Sequence, residues 1–170
     1  MYNKNNLKRM CSFYVNDIHL ITMLLPYIEK KINGSGKFYT FFEKDFDKVI
    51  QMLLSKLNLK KELKEKINSI NWKNSNNISY ENIKEVLEGE KDDEKYLIIN
   101  GSKDYINNVN QNINKYLKKR ECKINVINCY EIVEFNKNIT DILDKSKKIL
   151  NTSGEHEIEE IFPEYKKKNA

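Results

Sequence analysis

The chain has 170 residues, 39% of them hydrophobic and 11% aromatic, and its 30 basic and 25 acidic side chains leave a net charge of +5. This length and composition predict one folded cytoplasmic domain and argue against a disordered chain, and no apolar run is long enough to span a membrane. The three cysteines show no CxxC spacing, which argues against a disulfide framework or a zinc site.

Apolar periodicity predicts alternating strands and helices in the first part of the chain. Asn16 and Asp17 follow an apolar run and can cap a helix by accepting hydrogen bonds from its first N–H groups. Pro26 should kink this helix or mark its real beginning, because proline lacks the N–H that a helix interior needs. A second strand then leads into the clearest 3.6-residue period of the chain. The predicted strands are 10–15 and 37–42, and the predicted helices are 18–32, 45–57 and 59–66.

The same alternation continues through the rest of the chain. Ser69–Lys73 (SINWK) alternates apolar and polar residues, which indicates a brief third strand. Ser79 can cap the helix that follows, and the most apolar strand candidate ends at Asn100. After Asn151 the chain should dock as a short helix and then fray towards its lysine-rich end, 166–168. The further predicted strands are 96–100 and one within 124–136, and the further helices are 79–87, 102–117 and 138–150.

This order of elements predicts the fold class. Strands that alternate with helices need crossover connections, which favour a parallel sheet covered on both faces. We therefore expect an α/β fold with a single doubly wound, mainly parallel sheet of four to five strands and helices on both faces. Residues 1–9 would form an N-terminal extension, residues 10–151 a sensory-like α/β domain, and residues 152–170 an acidic-then-basic C-terminal tail.

Polar side chains follow the ends of the predicted strands. In an open parallel sheet, ligands bind outside the carboxyl ends of the strands, so groups at these ends should converge. Aromatic rings would supply a flat apolar wall, and carboxylates would orient a polar group of a ligand or a basic group of a partner. The same residue types also cap helices and solvate loops, so both roles stay open for each residue. The candidate ligand-binding residues are Tyr14, Asp17, Glu43, Ser102, Asp104, Tyr130 and Glu131.

The sequence contains no complete motif for phosphate binding or catalysis. Neither GxxxxGK[ST] nor GxGxxG occurs, and the GSGK run at 34–37 precedes a strand instead of following one. The turn at 100–103 does follow a strand, so its amides could hold an anion. His19 and His156 have no partner carboxylate or thiol at a recognisable spacing. We therefore predict no catalytic residue, no metal and no cofactor.

Three segments resemble the MEDS domain, a sensory domain named from methanogens, methylotrophs and the DcmR regulator. The start MCSFYV, followed by an acidic residue and the later LLPYI, is similar to the start of that family. The segment from SINWK to ISYENIKEVL is similar to its short strand and helix. The segment INCYEIVEF, with Cys129, Tyr130, Glu131 and Phe135, is similar to its last strand exit, and the resemblance would cover residues 8–155.

The resemblance implies a RecA-like α/β sensor without a phosphate loop. Such domains are proposed to perceive small organic molecules and are usually attached to a histidine kinase or a DNA-binding output. We therefore predict a stand-alone sensory or regulatory domain that acts in signal transduction without catalysis. It would bind a small organic ligand or a regulatory protein partner at the carboxyl edge of the sheet, and it could act as a homodimer.

Two other functions stay open. One is a nucleotide or phosphoester enzyme that uses the turn at 100–104, with Asp17 or Glu43 as a metal-binding carboxylate. The other is an adaptor that binds proteins through the C-terminal tail. A nucleic-acid partner is not expected, because the basic segment 115–123 is interpreted as a helix end, where cations favourably meet the helix dipole.

Overall fold

The fold is built on one six-stranded sheet, counted over the residues that the structure describes. This computed structural model describes residues 7–34, 36–89, 94–118, 120, 122–134 and 139–165. The strands are β1 (Leu7–Tyr14), β2 (Lys37–Phe42), β3 (Lys95–Asn100), β4 (Ile124–Glu131), β5 (Lys148–Asn151) and β6 (Gly154–Glu157). The helices are α1 (Asp17–Ile32), α2 (Asp47–Lys56), α3 (Lys61–Ser69), α4 (Tyr80–Glu88), α5 (Lys103–Leu117), α6 (Ile139–Asp144) and α7 (Ile158–Ile161), and a short 3₁₀ helix (Ile132–Glu134) follows β4.

The strand order is β2-β3-β4-β1-β5-β6, so that β1 lies between β4 and β5. Neighbouring strands are parallel except for the β5–β6 hairpin, which is antiparallel. This topology confirms the predicted α/β fold with a mainly parallel sheet. The described chain has six strands rather than four to five, because residues 148–157 add a hairpin at one edge of the sheet.

Two apolar cores lie on the two faces of the sheet. Strands β1 to β5 each contribute to both, because successive side chains of a strand point to opposite faces. In β3, for example, Ile98 belongs to one core, and Leu97 and Ile99 belong to the other. Helices α1, α2 and α3 cover the first face, called face 1, and α4 to α7 cover the second, called face 2. Among the helices of the described chain, none has both the length and the apolar content that crossing a membrane requires.

Helix α1 begins where the sequence predicts it. Asn16 caps the helix by accepting a hydrogen bond from the His19 N–H at 2.9 Å. The helix then continues through Pro26, so Pro26 does not mark its beginning. Pro26 cannot donate to the carbonyl of Thr22, four residues earlier. Because both residues are exposed, water can bind that carbonyl instead.

The strand predicted at Ser69–Lys73 is wrong, because this segment ends α3 and continues as an irregular loop. Trp72 is only 2% exposed, and its indole N–H donates to the Ile67 carbonyl at 2.8 Å. Its ring stacks on Phe42 with the centroids 5.9 Å apart. The alternation of apolar and polar residues therefore reflects a loop anchored by Ile70 and Trp72, both buried in the face 1 core.

The two ends of the domain extend beyond the predicted boundaries. The helix predicted at 138–150 ends at Asp144, and residues 148–151 form β5 instead. The sheet continues through β6, which lies within the predicted tail, and α7 follows it. Likewise, β1 begins at Leu7, within the predicted N-terminal extension. Residues 1–6 and 166–170, including the lysine-rich end, lie outside the described residues, as does Phe135.

Candidate functional site at the carboxyl edge of the sheet

The carboxyl ends of the strands form two crevices, because the chain leaves neighbouring strands towards opposite faces of the sheet. After β1 the chain enters α1 on face 1, whereas after β4 it continues to α6 on face 2. β2 and β3 diverge in the same way, into α2 on face 1 and α5 on face 2. Open α/β sheets bind ligands at such points. We name them the β1/β4 crevice and the β2/β3 crevice.

The β2/β3 crevice is closed by the chain itself. Glu43 Oε1 accepts a hydrogen bond from the Ser102 N–H at 2.8 Å, at the start of α5. A Cβ atom on Gly101 would lie 2.7 Å from the Tyr105 ring and 2.9 Å from the Glu43 Cβ, so no space remains around this glycine. The Ser102 hydroxyl in turn accepts from the Tyr105 N–H at 3.2 Å. The Glu43 carboxylate therefore already accepts from the Ser102 N–H, the group that would have to donate to a phosphate bound at this turn.

A buried hydrogen-bonded network forms the floor of the β1/β4 crevice. Asn100 Nδ2 donates to the Tyr14 hydroxyl at 2.6 Å and to the Cys129 carbonyl at 3.1 Å. Tyr14 is 4% exposed and Asn100 is 1% exposed. Burial raises the pKa of Tyr14, so its hydroxyl stays protonated at neutral pH. The network joins the ends of β1, β3 and β4, and it gives Tyr14 a hydrogen-bonding role in the floor of the crevice.

Exposed apolar side chains surround this crevice. Val15 and Ile18 follow β1 and are 57% and 50% exposed, and Ile132 and Val133 follow β4 and are 48% and 69% exposed. Because β1 and β4 are neighbouring strands, these two pairs of residues follow adjacent strand ends. We name the four side chains the apolar rim. The sequence gives little indication that these residues are exposed together, because Val15 is predicted to end a strand and Ile18 to begin a helix.

The predicted carboxylates lie around the same edge. Asp17 pairs with Lys44 at 2.8 Å. Glu131 is half-buried at the end of β4, and Asp104 is exposed in the first turn of α5. Together with Glu43, these groups outnumber the lysines of the same loops. The edge is therefore acidic, although the whole chain has a net charge of +5.

Tyr130 does not lie with the other predicted residues. Tyr14 pairs with Glu131 in the sheet, and residues 130 and 131 point to opposite faces, which places the Tyr130 ring on face 2. There Tyr130 is 5% exposed and stacks on Phe13 with the centroids 5.9 Å apart. The structure therefore does not bring Tyr14 and Tyr130 together into one apolar wall. Tyr130 instead lines a polar cavity beside α5.

His156 has partners that its sequence context did not reveal. Its Nε2 atom lies 2.6 Å from Ser153 Oγ, and its Nδ1 atom lies 3.1 Å from Glu160 Oε2. Ser153 Oγ also lies 2.8 Å from Asn151 Oδ1, which can only accept a hydrogen bond. The Glu160 carboxylate can only accept a hydrogen bond, so His156 Nδ1 donates to it, and the direction of the contact between Nε2 and Ser153 Oγ depends on the tautomer of the ring. Asn151, Ser153, His156 and Glu160 therefore form one exposed hydrogen-bonded chain at the β5–β6 hairpin.

The remaining reactive groups are buried or engaged. Burial raises the pKa of the Cys11 thiol to about 11, and it also raises the pKa of Cys129, so neither thiol is a ready nucleophile at neutral pH. His19 Nδ1 accepts a hydrogen bond from the Val15 N–H at 2.9 Å. Within the described residues, no group of three or more histidine, cysteine, aspartate or glutamate side chains is arranged to hold a metal ion.

Comparisons with known proteins give no match. No family model matches the chain, and no curated protein or solved structure resembles it significantly. The resemblance to the MEDS domain therefore stays a prediction from the sequence.

Proposed function

We propose that the protein is a non-enzymatic regulatory domain that binds a partner protein at the carboxyl edge of its sheet. The observation that carries this proposal is the apolar rim, in which four large side chains from two neighbouring strand ends are each 48–69% exposed. Grouped apolar side chains of this kind are typical of interaction sites, whereas single ones are common on any surface. A regulatory role agrees with the expectation raised by the MEDS-like segments.

The charges around the apolar rim define the chemistry of the partner. An apolar centre with an acidic margin fits a partner that presents an apolar anchor flanked by lysine or arginine. A second copy of this chain fits less well, because two acidic edges would repel each other. A small ligand in the crevice also fits less well, because the buried Tyr14–Asn100 pair fills its floor.

The two other functions have less support from the geometry. A phosphate at the turn 100–104 would compete with the Glu43 carboxylate for the Ser102 amide. An adaptor that acts through a free tail would need that tail to be separable from the domain. Over the described residues, the tail instead contains β6, which pairs with β5, and Ile158, which is 3% exposed.

The proposal can be tested by making the apolar rim polar. The rim variant Ile132→Gln, Val133→Gln changes two of its four side chains. The matched control Met52→Gln, Leu57→Gln changes two apolar side chains at α2 that are 37% and 38% exposed. Both variants should keep the stability of the wild type to within about 0.5–1 kcal/mol, because all four positions lie on the surface.

Binding is measured by fluorescence polarisation with two designed helical peptides that share leucine anchors and differ in lysine or glutamate flanks. The lysine-flanked peptide should bind the wild type and the control with equal affinity. It should bind the rim variant at least about tenfold more weakly, which is a loss of about 1.4 kcal/mol in binding free energy. Equal binding to the rim variant, or a preference for the glutamate flanks, would overturn the proposal. Sedimentation over a concentration series adds a second check. If the wild type dimerises and the rim variant does not, the partner bound at the apolar rim is a second copy of this chain.

A further inference from the structure

A cavity of about 480 Å³ lies on face 1 of the sheet, between α1 and the β5–β6 hairpin. We name it the hairpin cavity. Its volume falls within the range of about 300–1,000 Å³ that is typical of ligand pockets. One wall consists of hairpin residues 148 and 150–155. The other wall is a stripe of α1 residues that share one side of the helix because they recur every three or four positions, namely Met23, Pro26, Tyr27 and Lys30.

The Tyr27 hydroxyl is an uncommitted hydrogen-bonding group of the helix wall. Tyr27 is 7% exposed, and its ring packs against the edges of Phe38 and Tyr96 with the centroids 6.3 and 6.0 Å apart. Within the part of the chain that the structure describes, its hydroxyl has no hydrogen-bond partner, although no fully buried side-chain nitrogen or oxygen lacks one. Solvent must therefore reach this hydroxyl, through the hairpin cavity and the adjoining cavity of about 240 Å³ that Tyr27 also lines.

The protonation of Tyr27 makes it a donor to a ligand. Burial raises the pKa of Tyr27, and the negative charge of Glu155 raises it further, so the hydroxyl keeps its proton at neutral pH. Because Glu155 belongs to the opposite wall, its charge acts across the hairpin cavity. A ligand bound to the Tyr27 hydroxyl is therefore also within reach of this carboxylate.

The two walls of the hairpin cavity carry opposite charges. On the helix wall, Lys30 is exposed and forms no ion pair with any described residue, so it brings one positive charge. On the hairpin wall, Lys148 Nζ lies 4.0 Å from Glu155 and 3.8 Å from Glu157. One ammonium group between two carboxylates leaves one negative charge on this wall. A ligand that matches both walls carries an anion and a cation.

The floor of the hairpin cavity is apolar and held in place by the core. Met23 and Leu150 are each 1% exposed, and Pro26 adds further apolar surface. The buried Ser12 joins the two walls beneath them, because its hydroxyl donates to the Leu150 carbonyl at 3.0 Å and lies 3.3 Å from Met23 Sδ. This surface suits an apolar group of the ligand.

We propose that the hairpin cavity binds a free α-amino acid with an apolar side chain. An α-amino acid carries its two charges close together, so it can match both walls at once. Its carboxylate accepts from the Tyr27 hydroxyl and pairs with Lys30, its ammonium group pairs with Glu155, and its side chain contacts the apolar floor. The proposal does not depend on the partner-binding function of the carboxyl edge, because no residue of the apolar rim lines this cavity.

Isothermal titration calorimetry with L-leucine, L-methionine and L-phenylalanine tests the proposal. The wild type should bind at least one of them with a dissociation constant of about 1 mM or below. Analogues of the preferred amino acid that keep only one charge, such as isocaproate and isoamylamine for L-leucine, serve as reference ligands. Each analogue should bind at least about tenfold more weakly, because it leaves the charge of one wall unmatched.

Two kinds of variant locate the binding site. Tyr27→Phe removes a hydroxyl that has no partner in the described chain, so it should keep the stability of the fold and weaken amino acid binding about three- to tenfold. Its matched control, Tyr39→Phe, removes the hydroxyl of a half-buried tyrosine outside the lining and should bind like the wild type. Lys30→Gln and Glu155→Gln should each weaken binding about two- to fivefold, whereas Lys48→Gln, at an exposed position of α2, should not.

Three outcomes would overturn the proposal. The first is that none of the three amino acids binds the wild type. The second is equal affinity for the amino acid and its carboxylate analogue, which would make the cavity a site for a monocarboxylate. The third is an equal loss in Tyr27→Phe and Tyr39→Phe. The rim variant Ile132→Gln, Val133→Gln should bind the amino acids normally, so the two proposals can fail separately.

Discussion

Replacing Glu43 tests whether the chain supplies its own anion to the start of α5. The Glu43 carboxylate accepts one hydrogen bond, at 2.8 Å, from the Ser102 N–H. A hydrogen bond of this kind contributes about 0.5–1.5 kcal/mol, and an exposed carboxylate at a helix N-terminus about 0.3–1 kcal/mol. Because Glu43 is exposed, we expect Glu43→Ala to lower the free energy of unfolding by about 1–1.5 kcal/mol. Glu43→Gln keeps an acceptor and should lose only the charge contribution, about 0.5 kcal/mol.

The assay is urea unfolding at 25 °C, followed by circular dichroism and by the fluorescence of the single tryptophan. In high salt the difference between the wild type and Glu43→Gln should shrink, because salt screens the exposed charge, whereas the loss in Glu43→Ala should largely persist. Equal stability of Glu43→Ala and the wild type would refute the reasoning. Stabilisation of the wild type by magnesium and ATP would refute it as well, since it would show that the turn is open to phosphate.

Three further predictions concern the stability of the fold. Trp72→Phe should cost about 2 kcal/mol, because it removes the bond to the Ile67 carbonyl and leaves a void beside Phe42; an unchanged urea midpoint would contradict this. Burial raises the pKa of Cys11 from 9.0 to about 11, so its contribution to stability is present below pH 9 and is lost as the pH rises towards 11. In reducing buffer, the free energy of unfolding of Cys11→Ala should fall less steeply with pH than that of the wild type, by up to about 1.4 kcal/mol per pH unit. Equal slopes for the two proteins would contradict this prediction. Truncation after Asn151 should strongly lower the unfolding midpoint, because it removes β6 and the buried Ile158, and an unchanged midpoint would show that the hairpin is dispensable.

The central elements of the fold could be predicted because their sequence patterns are long. The period of α2 and the apolar run of β3 extend over six or more residues, and short connections between alternating elements imply a parallel sheet. The hairpin at 148–157 could not be predicted in the same way. Its strands have four residues each, and Ile149 and Leu150 fit the end of a helix as well as a strand. The segment at 69–73 was predicted as a strand because its buried residues, Ile70 and Trp72, alternate with exposed ones although they lie in a loop.

The candidate site was predictable in part. Strand ends of a parallel sheet share one edge, which is why Asp17, Glu43 and Ser102 lie there as predicted. The face of the sheet on which the Tyr130 ring lies depends on the register between β4 and β1, and this register could not be predicted from the sequence. The polar cavity was not predictable, because Arg9 and Asn110 are 101 positions apart and meet only in the folded chain.

The β5–β6 hairpin also bears on aggregation. A sheet edge exposes unpaired N–H and C=O groups, which can recruit a strand from another molecule. Here the edge strand β6 has only four residues, and Lys148 of β5 lies within 4.0 Å of both its Glu155 and its Glu157. A short edge that carries charges is a poor template for further strands. A continuous sheet shared by two molecules would therefore be expected to start from β2, at the opposite edge.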